Sequence, residues 1–452
     1  MTGVSDNSPG GALAGATRGE RPRLTGGQVY LLGLLMVINM FNMLDRYVIN
    51  IVAEPIKREL ALSDAQIGIM TGIGFALTYA IAGVAVARLA DRMSRPWLIA
   101  GSVTIWSAFT GLSSAAQSFA QLLICRFGVA FGEAGCTPAA HALIVDSVPR
   151  ESRASAIAIY SIGAPLGLLL GMGVGGLVAQ AYGWRMAFVV AAVPGVVLAL
   201  LAALTIREPR VRSSRIPADR VSLKEALGMV RVKRTYWFAC AGYGCVLMVS
   251  FGLSAFSAPY FLRNHEAEIG VLAAAIGSHF GVAMKPLGFL GIALGLTYGL
   301  SGAFGTWLGG YVSDALGRVD MRRALWPNIV GNLLATGFFV AGFTADSVVV
   351  ALILLTIGQI ALASSAAPFF ATIQGITPAP IRATSAAIAL LVINLMGSMG
   401  PLVVGMASDL ASVRQGEGGG VRTGLYCVIA MSAMAAWLFY LSSRTVTRDA
   451  EF

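Results

Sequence analysis

Apolar and polar positions are segregated into long blocks along this chain. Runs of mainly apolar residues, each broken by a short polar turn, recur over most of its length. About 20 such residues suffice to cross a bilayer as a helix. The pattern predicts helices over 27–50, 64–88, 97–117, 119–146, 154–180, 186–206, 235–262, 285–311, 323–345, 347–374, 383–410 and 422–442. Twelve spans and no strand pattern make this an all-α membrane protein.

Two of the polar turns are related. Ala87-Arg-Leu-Ala-Asp91-Arg92-Met-Ser94-Arg95 returns, altered, as Gly310-Tyr-Val-Ser-Asp314-Ala315-Leu-Gly317-Arg318, 223 residues later (314 minus 91). A second echo joins the fifth and eleventh helices. Arg153-Ala-Ser-Ala-Ile-Ala begins one and Arg382-Ala-Thr-Ser-Ala-Ala-Ile-Ala the other, and each reaches a Gly/Pro cluster at Gly163–Gly167 or Gly397–Pro401. The chain reads as a tandem duplication: a disordered tail (1–26), a six-helix bundle (27–206), a basic linker (207–234), a second bundle (235–442) and a short tail (443–452). Repeated halves with interrupted helices suit alternating access around a site between them.

Composition supports a membrane protein. The chain is 56% hydrophobic and 12% charged, against roughly 25% charged in soluble domains. Its 54 glycines suit closely packed membrane helices. The net charge of +10 raises the question of nucleic acid, and its placement excludes that partner. Of the 32 Lys and Arg, 23 fall on the side shared by both termini, 7 on the other side and 2 within the bilayer. The positive-inside rule then puts both termini in the cytoplasm. A bacterial inner membrane and a monomer are expected. The five cysteines lie within predicted helices as packing residues, with neither disulfide nor metal spacing, and no cleavable signal peptide is expected. In the linker, Ser222-Leu-Lys-Glu225 predicts a capped surface helix. Residues 263–284 predict a short helix or an extension of the seventh, and 411–421 a flexible loop.

The repeated turn resembles the Gly-x-x-x-Asp-x-x-Gly-Arg motif of the major facilitator superfamily. It departs from it at Ala87, Ser94 and Ala315. Gly183-Trp184-Arg185-Met-Ala-Phe188 is similar to another phrase of that superfamily. Asn42-Met-Leu-Asp45-Arg46-Tyr47 and Arg126-Phe-Gly-Val-Ala-Phe-Gly132-Glu133-Ala134 resemble its Spinster group. The resemblance implies the major facilitator fold, two pseudo-symmetric six-helix bundles. It also implies a substrate like the lysophospholipids or sphingosine-1-phosphate that animal Spinster proteins export. The run Gly163, Pro165, Gly167, Gly171 and Gly175 resembles, incompletely, a motif associated with antiporters.

Ionisable groups at membrane depth are costly and are functional candidates by default. Here they are one-sided: Asp45 and Arg46 on the first helix, Arg126 and Glu133 on the fourth. Asn39, Asn42, Arg46 and Asn50 form a stripe at i, i+3, i+7 and i+11, and Arg126, Glu133, Thr137 and His141 a second stripe. The expectation is that Asp45 pairs with Arg126 while Glu133, within reach of Arg46, exchanges a proton as the gates alternate. The competing reading is a static ion network that fixes helix packing. His141 is expected as a packing or solvated residue. Asp91, Arg92, Arg95, Asp314 and Arg318 are candidate gating residues, and their charges also mark topology. Candidate substrate contacts are Asn42, Tyr47, Thr137, Tyr160, Tyr243, Phe251 and Asn394.

Ser364, Ser365 and Thr372 make the second half of the cavity apolar and lightly hydroxylated. One charged and one apolar half suit an amphipathic molecule, in a proton-coupled transporter set among membrane lipids. A transporter of small organic acids or drugs remains open, with Arg46 and Arg126 holding a carboxylate. So does a passive conduit or a transport-dead sensor. No nucleophile–base arrangement, metal cluster or phosphate-cradling loop is present in the sequence, so no enzyme, metal or cofactor is expected.

Overall fold

The computed structural model describes residues 24–90, 93–208 and 223–450, and these are helical with no strand among them. In the first half, α1 is Gly26–Leu60. α2 spans 64–90 as two pieces, Asp64–Thr71 and Ile73–Ala90, broken at Gly72. α3 is Arg95–Ser113, α4 Phe119–Ser147, α5 Arg153–Tyr182 and α6 Trp184–Thr205. In the second half, α7 is Arg234–Asn264, α8 Pro286–Gly317, α9 Trp326–Thr344 and α10 Val348–Ile376. α11 and α12 share one helical run, Arg382–Ala450, parted at Gly416. Ten stretches are long and apolar enough to cross a membrane. The last of them holds two spans, and α3, diluted by its Arg, Ser and Thr residues, completes the twelve.

Local signals explain the helix ends. Thr25 and Gln28 exchange side-chain and backbone hydrogen bonds in a capping box at α1, and Ser63 and Gln66 repeat it at α2. Gly183, at φ +84°, makes the one-residue corner between α5 and α6, a conformation that a side chain would strain. Short helices add to the twelve. One, Leu223–Arg231, lies in the linker, while the proposed cap Ser222 falls outside the described residues. Another, Glu266–Phe280, follows α7 after a break at His265.

Three expectations need correction. α1 runs ten residues past the predicted end at 50, and Glu54, Lys57 and Glu59 on that extension are held by partners. Residues 411–421 are helical rather than a flexible loop, and the chain departs from helix only at Gly416, φ +71°. Cys427 also differs from the other four cysteines in being exposed, on α12, rather than packed.

One apolar core lies within the first half around Trp106, and a second, around Phe339, Phe369 and Phe439, continues across the bundle interface to Val52, Ile67 and Phe188 of the first half. The halves meet through glycine. A β-carbon at Gly68 would overlap the Pro401 carbonyl, one at Gly405 the Asp64 carbonyl, and one at Gly291 the Met172 carbonyl. These contacts join α2 to α11 and α5 to α8. In α8 a π-turn over Leu296–Leu300 swings Tyr298 onto Ser257 of α7, with hydroxyls 2.5 Å apart.

Candidate functional site

The polar stripe of α1 meets α4 in the interior of the first bundle. Arg46 donates through Nε (3.1 Å) and Nη2 to Glu133 Oε2, in a pair whose carboxylate is fully enclosed. Two guanidiniums lie over Phe75 of α2, with the Arg46 and Arg126 carbons 4.7 Å and 5.0 Å from its ring centre. Tyr79 is 5.6 Å from Arg46. An aromatic face attracts a cation without neutralising it. Phe75 thus contacts both guanidiniums through one ring.

Asp45 departs from the expected pairing. Its Oδ2 accepts from Thr110 on α3 at 3.4 Å, and no ion pair joins it to Arg126 in this conformation. Asp45 Oδ1, Glu133 Oε1, Arg126 Nε and Asn42 Nδ2 are all buried without a hydrogen-bond partner in the protein. Four such atoms in one cluster are conspicuous, because most buried polar groups are satisfied. The cluster can rearrange its partners at small geometric cost. Around it, Asn39 donates to the Tyr160 carbonyl (3.1 Å), and Tyr160 packs edge-on to His141. Thr137 lies near the Tyr79 and Tyr160 hydroxyls, and Tyr47 lies near Arg46 and Glu133.

The second half contributes rings. Tyr243 stacks on Phe369 at 4.4 Å between centres and meets Phe370 edge-on. Phe251 packs beside Gly397. Asn394 is exposed and spends its amide on the Leu390 carbonyl of its own helix. The structure gathers Asn42, Tyr47, Thr137 and Tyr160 near the charged cluster. Tyr243 belongs to a separate aromatic cluster, and Phe251 and Asn394 join neither.

Of the gating candidates, Asp91 and Arg92 lie outside the described residues. Arg95 donates to Asp146 Oδ2 (2.6 Å) and the Ala142 carbonyl, and its backbone N–H donates to Glu208. Asp314 and Arg318 are exposed and make no ion pair among the described residues.

A second charged assembly escaped sequence reasoning. At the face remote from the termini, Arg263 of α7 donates to Glu54 of α1 at 2.7 and 2.9 Å and to Asp64 of α2 twice at 2.8 Å. The three side chains are only 3%, 2% and 1% exposed. Lys57 bridges Asp64 (3.0 Å) and Glu417 (3.3 Å), and Ser408 donates to Asp64 at 2.6 Å. Asp409 of α11 accepts the Asp64 and Ala65 backbone N–H groups at 2.9 and 2.8 Å, capping α2 from the opposite bundle. Asn50 donates to Ser254 a little deeper. These hydrogen bonds and ion pairs between the bundles, with those of Gln180 on α5 to Ala283 and Lys285, all lie in this half of the molecule. The bundles are therefore latched to one another at the face remote from the termini.

Two helical bundles latched at one end, with a buried charged cluster in the interior of the first, define a multi-pass membrane transporter of the secondary class. The chain belongs to the Major Facilitator Superfamily, whose family model matches residues 35–401. It is 34% identical over 419 residues to an MFS-type efflux pump of Mycolicibacterium smegmatis, covering 92% of this chain and 93% of that protein. It is 25% identical over 390 residues to Protein spinster of Drosophila melanogaster, covering 84% of this chain and 62% of that protein's length. Among solved structures, a bacterial homolog of the human lysosomal transporter Spinster, inward-facing and unoccupied, matches at a TM-score of 0.83 and 29% identity, covering 94% of this chain and 99% of that one. The Spinster-like character expected from the phrases on α1 and α4 holds.

Proposed function

We propose that this transporter couples proton movement to the passage of an amphipathic, lysolipid-like molecule. The observation that carries the proposal is the asymmetry of the interior. Asp45, Arg46, Arg126 and Glu133 cluster in the first bundle, whereas the second offers the Tyr243–Phe369–Phe370 rings. A charged head and an apolar tail match these two sides. Protons enter through partner exchange: burial favours a neutral carboxyl and an adjacent guanidinium favours the carboxylate. In this conformation Arg46 holds Glu133, and Asp45 has no cation in contact. Release of Arg46 to substrate or to Asp45 frees Glu133 to take a proton. The charge asymmetry of the loops supports cytoplasmic termini, and on this reading the face opposite the latch opens inward. The bacterial inner membrane and a monomeric state complete this reading, with Asp91, Arg92, Arg95, Asp314 and Arg318 forming the inner gate when the latch opens.

Flux of labelled lysophospholipid in proteoliposomes under an imposed pH gradient tests the proposal. The gradient drives the native chain, and Glu133→Gln and Asp45→Asn abolish the dependence. Unchanged dependence in both variants refutes it. The efflux-pump relative supports a second reading, a transporter of drugs or small organic acids in which the free Arg126 Nε takes a carboxylate. Competition of lysolipid flux by simple carboxylates separates the two.

A further inference from the structure

Outside the central cavity, α8, α9 and α10 enclose a cavity of about 440 Å³, within the usual size range of ligand pockets. Its floor is built from small residues, Gly309, Gly331, Ala361 and Ser364, and its walls from branched and aromatic ones such as Val330 and Leu334. The glycines bring α8 and α9 close against α10 at the floor of the hollow. A β-carbon at Gly309 would overlap the Ser364 carbonyl, and one at Gly331 would overlap the Ser364 hydroxyl and Ala361 carbonyl. Ser364, the polar side chain in the lining, already donates to the Ala361 carbonyl at 2.7 Å. The polar side chains of α9 face elsewhere, with Asn328 and Asn332 both bonded to Ser365 of α10. The hollow therefore presents hydrocarbon and asks for hydrocarbon.

Its position along the membrane is equally defined. α8 ends and α9 begins on the face bearing the termini. The lining residues 308–316, 326–338 and 357–364 thus run from that interface toward mid-membrane. Trp326, half-exposed at the mouth, is the residue type that favours the headgroup level. Beyond it stand Arg318, Arg322 and Arg323, all exposed, with Asp314 and Asp320 as the neighbouring acids. The Arg322 guanidinium donates to the Thr447 hydroxyl at 3.3 Å, and its backbone N–H donates to Asp320 Oδ1 at 2.9 Å. Arg323 opens the 3-10 turn Arg323–Leu325 that leads into α9, three residues before Trp326 at the mouth.

We propose that this groove binds an anionic phospholipid of the leaflet on the terminal-bearing side. One acyl chain lies over Gly309 and Gly331, and the phosphate rests on Arg322 and Arg323. Basic pockets between membrane helices on the cytoplasmic side hold anionic headgroups in this manner, each arginine contributing about 1 kcal/mol. The site is separate from the charged cluster of the first bundle and does not depend on which solute is carried.

Native mass spectrometry of the full chain, released from mixed phosphatidylglycerol–phosphatidylcholine nanodiscs, tests it directly. The native chain should retain phosphatidylglycerol in preference to phosphatidylcholine. Arg322→Gln and Arg323→Gln should each lower that preference about fivefold while a chain still occupies the groove. Val330→Trp, at an exposed position that does not disturb the core, should expel the retained lipid of either kind. Its melting temperature in lipid-free detergent should stay unchanged, with Leu334→Trp as a second filling variant. Equal retention of the two lipids by the native chain overturns the proposal. So does a preference untouched by both arginine variants, or lipid retained when the groove is filled.

Discussion

Removing the Arg263 guanidinium should spring the latch between the bundles. Arg263 donates four hydrogen bonds to Glu54 and Asp64, and all three side chains are almost wholly enclosed. Deleting one member of a buried ion pair costs about 3–5 kcal/mol, because the remaining charge is left uncompensated. The lower end applies to Arg263→Gln. Asp64 keeps Lys57 and Ser408, and Glu54 keeps Arg58 at 3.0 Å. The cost falls on the latched state, since opening hydrates the carboxylates. A loss of about 3 kcal/mol moves the latched-to-open equilibrium by roughly two powers of ten. Spin labels at Tyr182 on α5 and Val413 on α11, 75% and 88% exposed, would report it in a background with the five native cysteines replaced. Arg263→Gln should lengthen the distance between them. The triple variant Glu54→Gln, Asp64→Asn, Arg263→Gln should return toward the native distance, because no buried charge is left alone. An unchanged distribution in Arg263→Gln, or a triple variant as open as the single one, would refute the reasoning.

Other outcomes follow from the same geometry. Phe75→Ala removes two cation–π contacts of about 0.5–2 kcal/mol each. Flux should fall and the melting temperature drop by a few degrees, while Phe75→Tyr should retain most of both. Gly405→Val drives a side chain into the Asp64 carbonyl and should hold the bundles open at the latched face. The same spin-label pair would read this, with little change in expression. Asp409→Asn keeps oxygen at the α2 N-terminus but loses the charge–dipole term of about 0.3–1 kcal/mol. A modest opening, smaller than for Arg263→Gln, is expected.

The spans were legible in the sequence because lipid imposes a simple rule, long apolar runs, and because duplication repeats its own punctuation. The inner charged cluster was legible for the same reason. Arg46, Arg126 and Glu133 interrupt apolar runs where an unpaired charge is expensive. Their partners were less so: Asp45 meets Thr110 rather than Arg126, a choice between helix faces that spacing alone does not settle. Phe75 was invisible because an aromatic residue in a membrane helix has many possible surroundings. The latch stayed hidden for a different reason. Glu54, Asp64 and Arg263 sit at helix ends, where charge is ordinarily solvated, and Arg263 lies 209 residues from Glu54. Only the meeting of the halves buries them. One signal was available: the stripe of Asn39, Asn42, Arg46 and Asn50 continues with the same period through Glu54 and Lys57.

That continuity has a mechanical meaning. Arg46 and Glu54 lie on one side of a single unbroken helix, eight residues or about 12 Å apart along its axis. A twist of α1 that draws Arg46 off Glu133 also drags Glu54 across Arg263, with no loop between them to absorb the motion. On the proposed coupling, the proton event and the gate event share one shaft. Slippage, in which either occurs without the other, would require the helix itself to break.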